Sequence, residues 1–223
     1  MFFSSEVTDA SHNLRLTQDA NMPNSDTATF TVAAADGGTV AAGTTLRLRK
    51  PDWLAGDAVI MRNGEMAGLE EENGYYLVKN VKEGDEISYQ MPMKVVVYRM
   101  PDKPDMVAFK YGPVALSAGL STNSIEASNP NGILVRVGTF DASSQTVITV
   151  EGSSVEEWLG NLADNLVRIE DSADGRVQFK LQNVDSQSEQ LVYTPHYMRY
   201  QERYGLYMYM EEPDSQASQD RVL

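Results

Sequence analysis

The sequence predicts an all-β protein made of two β-sandwich units, of the jelly-roll or immunoglobulin-like kind, with one short helix in the second unit. Polar and apolar residues alternate at a period of two in several segments, as at residues 27–32 and 46–49, which is the pattern of strands buried on one face. Turn residues separate these segments. Prolines interrupt the pattern at intervals, as expected at strand ends and edges, because proline cannot donate to a ladder. Short strands in packed sheets follow from these features.

The clearest local signals are two expected hairpins in the first half of the chain. Asn63-Gly64 follows an apolar run at residues 59–61, and an Asn-Gly pair accepts positive φ at both positions of a two-residue hairpin loop. The segment at residues 82–85 lies between two strand-like segments and carries the glycine and aspartate that a tight connection prefers. We therefore predict a hairpin turn at each of these places.

The polar, turn-rich stretch at residues 120–132 predicts a domain boundary. We expect a first β-sandwich over residues 1–120 and a second, smaller β unit over residues 121–212, whose last strand is a candidate to return to the first sandwich. The polar segment at residues 213–223 is expected to be a flexible tail.

One short helix is predicted to begin after residue 154. Ser154 and Glu157 have the spacing of a capping box, in which each side chain bonds the other residue's backbone amide. Trp158, Leu159 and Leu162 then fall on one helical face. The second unit should therefore contain a short amphipathic helix.

Composition limits the partners and the chemistry. The net charge of −14 disfavours a phosphate backbone as a ligand, so no nucleic-acid partner is expected. No apolar run reaches the length of about 20 residues that a membrane helix needs, so no membrane partner is expected. No signal peptide is recognised. The compartment stays open, with a periplasmic or secreted parent protein among the alternatives. The abrupt apolar opening is typical of a chain cut inside a larger protein, although a first strand that begins at once is the alternative. The chain has no cysteine, which excludes disulfides, thiolate metal ligands and a cysteine nucleophile.

The sequence predicts no catalytic, cofactor-binding or metal-binding residue. A glycosidase usually needs two carboxyl groups at a fixed distance across a sugar, but the acidic runs at residues 70–72 and 211–212 have the pattern of solvated charge. Residues 70–72 are expected to lie in a loop. The two histidines, His12 and His196, have no metal-ligand spacing.

An aromatic cluster near the end of the chain is the most distinctive local composition. The candidate residues for a domain interface or for stacking on a sugar ring are Trp53, His196, Tyr197, Tyr200, Arg203 and Tyr204. Tyrosine suits an interface because its ring packs while its hydroxyl finds a polar partner, so we favour the interface.

Several segments match, in order, one known family. They are residues 46–53 with a Pro-x-Trp corner, Asn63-Gly64, residues 74–77, 83–87, 90–93 and 107–116, and a closing block at residues 193–207. This series resembles the β-sandwich region that follows the catalytic barrel in bacterial beta-L-arabinofuranosidase-like glycoside hydrolases of family 127. The closing block departs from the family at His196, where an apolar or aromatic residue is usual, and at Met208, where tryptophan is frequent.

The resemblance implies an accessory role. In the family an (α/α) barrel carries the catalytic glutamate, the cysteine nucleophile and the zinc site, and none of these is carried over to this chain. The sandwiches pack on the barrel and help to form dimers in such enzymes. We therefore expect a non-catalytic C-terminal region whose partner is the catalytic barrel, with a homodimer as an open alternative. Two further functions stay open, a carbohydrate-binding module for plant-type oligosaccharides and an adhesin-like surface protein.

Overall fold

The computed structural model describes residues 3–68, 70–121, 147–200 and 202–213, and the chain divides into two compact units, Met1–Lys94 and Val95–Leu223. Each unit, in its described part, consists mostly of strands in sandwich-like sheets. The predicted all-β fold class is confirmed. Within the same residues, no helix has both the length and the apolar character needed to cross a membrane.

The first unit contains two antiparallel sheets in the part that is described. Its strands are β1 (Phe3–Asp9), β2 (Leu14–Asn21), β3 (Thr27–Ala34), β4 (Leu46–Arg49), β5 (Val59–Arg62), β6 (Glu65–Met66), β7 (Glu70–Glu72), β8 (Tyr75–Val78) and β9 (Glu86–Gln90). One sheet has the order β1-β2-β3-β9-β5-β6, and the other has the order β4-β8-β7.

Alternate residues of both sheets form the core of the first unit. Phe30 and Val32 of β3 are buried together with Leu46 and Leu48 of β4 and with Tyr89 of β9 in a single hydrophobic cluster. This is the period-two pattern that the sequence predicted, with the polar residues between them facing outward. Complete burial of one large apolar side chain contributes about 1.5–3 kcal/mol, so the burial of these residues together stabilises the unit.

The turn predictions had mixed outcomes. Asn63-Gly64 joins β5 to β6 with φ of 53° and 82°, as predicted. The expected hairpin at residues 82–85 is wrong, because β8 pairs with β4 and β7 whereas β9 pairs with β3 and β5. The connection therefore carries the chain from one sheet to the other. The expected loop at Glu70–Glu72 is also wrong, since these residues form β7.

The second unit is built around one mixed sheet in its described part. Its strands are β10 (Val95–Arg99), β11 (Met106–Tyr111), β12 (Val114–Ser121), β13 (Val147–Thr149), β14 (Leu166–Arg168), β15 (Phe179–Leu181), β16 (Val192–Pro195), β17 (Arg203–Gly205) and β18 (Met208–Glu211), its helices are α1 (Val155–Gly160) and α2 (Leu162–Asn165), and its 3-10 turns are Ser188–Gln190 and His196–Met198. The order is β13-β18-β11-β12-β16-β15-β14, with β10 paired to β11 and β17 paired to β12.

Aromatic side chains lie at the centre of the core of the second unit. The ring of Phe109 makes an edge contact with Tyr193 at 5.4 Å between centroids and a tilted contact with Trp158 at 6.3 Å. The indole nitrogen of Trp158 donates to the Gln182 carbonyl at 2.8 Å, which satisfies its polar atom. Trp158 lies on α1, so the predicted amphipathic helix supplies a central core residue.

The predicted capping box is present at the start of α1. The Glu157 amide donates to the Ser154 hydroxyl at 3.2 Å, and the Ser154 amide donates to the Glu157 carboxylate at 3.1 Å. The Ser154 hydroxyl also donates to the Glu157 carboxylate, at 3.1 Å, and the donors from Ser154 lower the pKa of Glu157, with the Ser154 amide as the main cause. The short helix that the sequence predicted in the second unit is present as α1, whereas Leu162 lies in a second short helix, α2, that the sequence did not predict.

The compact units divide at Lys94 and Val95, whereas the sequence predicted a division at residues 120–121. The difference arises because β11 and β12, which end by residue 121, pair with strands from the end of the chain, β16, β17 and β18. The turn-rich stretch that suggested the boundary falls almost wholly at residues 122–132, outside the described residues, as do residues 214–223 of the expected tail.

Candidate functional site

The acidic run of β7 is paired with cations. Glu70, Glu71 and Glu72 of β7 are exposed. They contact Lys79 at 2.6 Å, Lys50 at 2.7 Å and Arg47 at 3.8 Å, respectively. Exposed pairs of this kind contribute little to stability. Within the ranges that the structure describes, no group of three or more histidine, aspartate or glutamate side chains is placed to hold a metal ion.

A serine, a histidine and an aspartate meet in the exposed turn after β1. Asp9 contacts Nδ1 of His12 at 2.6 Å, and the Ser11 hydroxyl donates to Asp9 at 2.6 Å. These bonds lower the pKa of Asp9 to about 2, with the Ser11 hydroxyl as the largest cause. Ser11 also lies 2.9 Å from the same imidazole nitrogen. A catalytic triad needs the serine and the aspartate on opposite ring nitrogens, so this cluster stabilises a turn.

Trp53 belongs to the first unit. It is partly buried and packs against that unit's hydrophobic cluster. A stacking or interface role for Trp53 stays a prediction. The other candidate residues all lie in the second unit.

The second unit carries an exposed aromatic surface, here called the tyrosine surface, that consists of His196, Tyr197, Tyr200, Tyr204 and Tyr207. The exposed fractions are 56% for Tyr197, 81% for Tyr200, 48% for Tyr204 and 46% for Tyr207. The imidazole of His196 packs edge-on against Tyr204, with 4.6 Å between ring centroids. Five aromatic residues within twelve positions of the chain therefore expose ring surface and polar atoms to solvent.

Strand β12 positions the two ends of the tyrosine surface. It pairs with β16, which leads into the turn that holds His196 and Tyr197, and with β17, which holds Arg203 and Tyr204. The Ser117 hydroxyl of β12 lies 3.3 Å from Nδ1 of His196. The structure therefore brings His196, Tyr197, Arg203 and Tyr204 to the two sides of one strand.

A buried guanidinium fixes the segment between these two ends. The Arg199 side chain is only 5% exposed and forms an ion pair with Glu202. It also donates to the Ser117 carbonyl at 3.0 Å and to the Val192 carbonyl at 2.6 Å. Burial lowers the pKa of Arg199, and the Glu202 carboxylate opposes that shift. The chain that carries Tyr200 is therefore held to β12 and β16 by directional bonds.

Gly119 gives Arg199 the space it needs. A β-carbon at Gly119 would lie 2.7 Å from Nη1 of Arg199 and 2.9 Å from the Glu202 carboxylate. The sequence predicted no role for Arg199, Glu202 or Gly119. The Arg-x-x-Glu spacing was the available signal, because residues three apart in a turn can pair. The contact to Gly119 spans about 80 residues of sequence, where no local pattern reaches.

Two tyrosines, Tyr197 of this surface and the neighbouring Tyr193, have a raised pKa. Partial burial raises the pKa of Tyr197, although its side chain is largely exposed, and nearby Arg176 opposes that shift. Burial also raises the pKa of Tyr193, whose ring is completely buried. Its hydroxyl has no hydrogen-bond partner in the described part of the chain.

A model of a known protein family matches the first unit. The family model described as "Beta-L-arabinofuranosidase, GH127 middle domain" matches residues 1–93. No curated protein matches the chain.

Solved structures share the fold over nearly the whole chain. A glycoside hydrolase is 18% identical with a TM-score of 0.54, over 93% of this chain and 34% of that chain. A GH127 beta-arabinofuranosidase is 14% identical with a TM-score of 0.57, over 94% of this chain and 34% of that chain. A GH127 beta-L-arabinofuranosidase from Geobacillus stearothermophilus T6 is 18% identical with a TM-score of 0.57, over 93% of this chain and 32% of that chain.

This chain thus spans about a third of the length of the solved chains that it matches. The matched family model covers the first unit, and the shared fold continues through the second. Residues 1–93 thus match the family model of the GH127 middle domain, and the fold over 93–94% of the chain is similar to that of solved glycoside hydrolases, two of them of family GH127.

Proposed function

We propose that this chain is a non-catalytic accessory region of a glycoside hydrolase, and that it packs on and positions a catalytic (α/α) barrel. The observation that carries this proposal is the middle-domain match at residues 1–93 in a chain that spans about a third of GH127 enzymes. The absence of cysteine agrees with a catalytic site carried elsewhere, because the family's nucleophile is a cysteine.

A hydrolysis assay tests the catalytic part of the proposal. The purified chain is incubated with aryl and oligosaccharide arabinofuranosides at a chain concentration comparable to that of the substrate. An active GH127 enzyme serves as the positive control. No product is expected from the chain. Turnover that co-elutes with the chain through successive columns and scales with its concentration would refute the proposal.

We further propose that the tyrosine surface is the contact with the barrel. Tyrosine is enriched at protein interfaces, and standard interfaces bury about 800 Å² on each partner. The Arg199 anchor supports this role, since aromatic residues on a fixed segment lose little conformational freedom when a partner covers them. His196 extends the same surface through its contact with Tyr204.

Alanine variants of the barrel-containing protein test this contact. Tyr200→Ala and Tyr204→Ala should each weaken domain association by about 1–3 kcal/mol, the range for an interface tyrosine. Tyr98→Ala is the matched control, because Tyr98 is 52% exposed in the same unit but outside the tyrosine surface. Limited proteolysis and thermal unfolding report association. Equal effects of all three substitutions would contradict the proposal.

A second candidate function, sugar binding, is favoured by one observation, the 81% exposure of Tyr200. A free aromatic face can stack on a sugar ring. Calorimetric titration with plant-type oligosaccharides would then show binding that Tyr200→Ala abolishes and Tyr98→Ala preserves.

A homodimer formed through the tyrosine surface is a third candidate role for this surface. Light scattering that compares the mass of the wild-type chain with that of the Tyr200→Ala variant detects it.

A further inference from the structure

The first unit contains two hairpins with the same loop sequence and the same backbone. Asn63-Gly64 joins β5 to β6, and Asn73-Gly74 joins β7 to β8. The φ angles are 53° and 82° in the first loop and 50° and 77° in the second. Both asparagines are exposed. The two loops therefore form a natural pair in which sequence, backbone and exposure are matched.

The side chains of the two asparagines differ in their bonding. The Asn63 amide nitrogen donates to the Asp85 carboxylate at 2.9 Å, and its carbonyl oxygen accepts from the Glu86 amide at 2.9 Å. The Asn73 side chain makes no hydrogen bond within the described part of the chain. One amide is held at both ends, and the other is free to rotate.

We propose that Asn73 is a site of spontaneous deamidation and that Asn63 is protected from it. The Gly74 backbone nitrogen, after losing its proton, attacks the side-chain carbonyl carbon of Asn73. A new carbon–nitrogen bond closes a five-membered succinimide, and the side-chain nitrogen leaves as ammonia. Water then opens the ring at either carbonyl and gives aspartate or isoaspartate. The net change is the exchange of one amide for one carboxylate, with water consumed and ammonia released.

Glycine after the asparagine favours this reaction, because no side chain shields the attacking nitrogen. Asn80 also has positive φ, but Val81 follows it, and the valine side chain crowds the same approach. Asn73 and Asn63, each followed by glycine, are therefore the two positions whose deamidation rates are compared.

Two features slow the reaction at Asn63. Its side chain must release both hydrogen bonds before the carbonyl carbon can meet the Gly64 nitrogen. The negative charge that develops on the attacked carbonyl oxygen would also arise close to the Asp85 carboxylate. Loss of the bond to that charged group is alone enough to slow the reaction about tenfold.

Deamidation of Asn73 would alter the hairpin that contains it. Isoaspartate adds one backbone carbon to a two-residue loop, where Glu72 pairs directly with Tyr75. The Lys50 amide donates to the Gly74 carbonyl at 2.8 Å, which ties the same loop to the end of β4. A lengthened loop cannot keep both the Glu72–Tyr75 pairing and the hydrogen bond from Lys50 to Gly74. A new carboxylate beside Glu72 also adds like-charge repulsion.

Peptide mapping by mass spectrometry tests the proposal on the full chain. The folded chain is aged in mildly alkaline buffer, and aspartate and isoaspartate are quantified at both positions over time. Asn73 should convert at least about ten times faster than Asn63. In urea, where both side chains are free, the two rates should become equal within about twofold, since the loop sequences are the same.

The variant Asn73→Gly provides the matched control, because glycine accepts the positive φ but has no side-chain amide. Its peptide should gain no carboxylate, while the slow conversion at Asn63 stays unchanged. Conversion of Asn63 as fast as Asn73 in the folded chain would overturn the proposal, and so would a rate difference that persists in urea. Hydrogen exchange at β7 and β8 should rise only in the aged wild-type chain.

Discussion

Asp85 is buried in the first unit, where it receives donors from three directions. Its side chain is 7% exposed and forms an ion pair with Arg62. The Asn63 side chain donates to it at 2.9 Å, and the Lys82 amide donates at 2.6 Å. Arg62 also donates to the carbonyls of residues 79 and 80, at 3.1 Å and 2.9 Å. Asp85 thus holds together the connection between the two sheets and the Asn63-Gly64 loop.

We predict that Asp85→Ala destabilises the first unit by about 3 kcal/mol. Breaking a buried ion pair costs about 3–5 kcal/mol because the remaining charge loses its partner. Arg62 is 27% exposed and can be partly rehydrated, which places the effect at the lower end of that range. Asp85→Asn keeps one acceptor oxygen and should cost less, about 1–2 kcal/mol.

Urea unfolding measures this loss, and the two tryptophans allow the units to be followed separately. Trp53 lies in the first unit and Trp158 in the second. The transition reported by Trp53, followed in a Trp158→Phe background, should shift by more than about 1 M urea. Hydrogen exchange at β9 should accelerate, while exchange at β15 should not change.

The pH dependence supplies a second test. Burial acts to raise the pKa of Asp85, but the bonds from Arg62, Lys82 and Asn63 outweigh it and hold the pKa below its ordinary value. A lowered pKa in the folded state gives stability that is present above the unfolded pKa of about 3.9 and is lost as pH falls through the folded value. The difference between wild type and Asp85→Ala should therefore be largest at neutral pH and shrink below about pH 4. A loss under about 1 kcal/mol at neutral pH would refute this reasoning, because it would mean that the network is not coupled to folding.

Three further substitutions probe the second unit, each followed by urea unfolding. Ser154→Ala removes the cap of α1 and should cost about 1 kcal/mol, with faster exchange confined to that helix. Gly119→Ala forces Arg199 out of its place and should cost about 1–3 kcal/mol, and no loss would show that the guanidinium relaxes freely. Tyr193→Phe removes a buried hydroxyl that has no partner in the described residues and should leave stability unchanged or raise it by up to about 1 kcal/mol.

Local features of the fold were predictable from the sequence because their signals lie within a few residues. The Asn63-Gly64 hairpin and the capping box of Ser154 and Glu157 each depend on a short motif with a direct physical cause. The period-two pattern likewise identified the buried faces of β3 and β4.

Features that depend on distant pairing were not predictable in the same way. Gly84 and Asp85 have the composition of a tight turn, but the side chains that bond Asp85, Arg62 and Asn63, lie more than 20 residues earlier, so its role as a buried anchor has no local signal. The division at residue 94 depends on β16, β17 and β18 returning to β11 and β12. In the tyrosine surface, composition alone indicated the aromatic residues but not the Arg199 anchor.

Hydrogen exchange in the tyrosine surface tests most directly whether a catalytic domain covers it. Exchange of amides at residues 196–207 is compared between this chain alone and a protein that joins the chain to the catalytic barrel proposed as its partner. Protection at these residues should increase at least about tenfold in the larger protein, while the exposed hairpin at Asn73 and Gly74 stays unchanged. Equal exchange at residues 196–207 in the two proteins would contradict the proposed packing role.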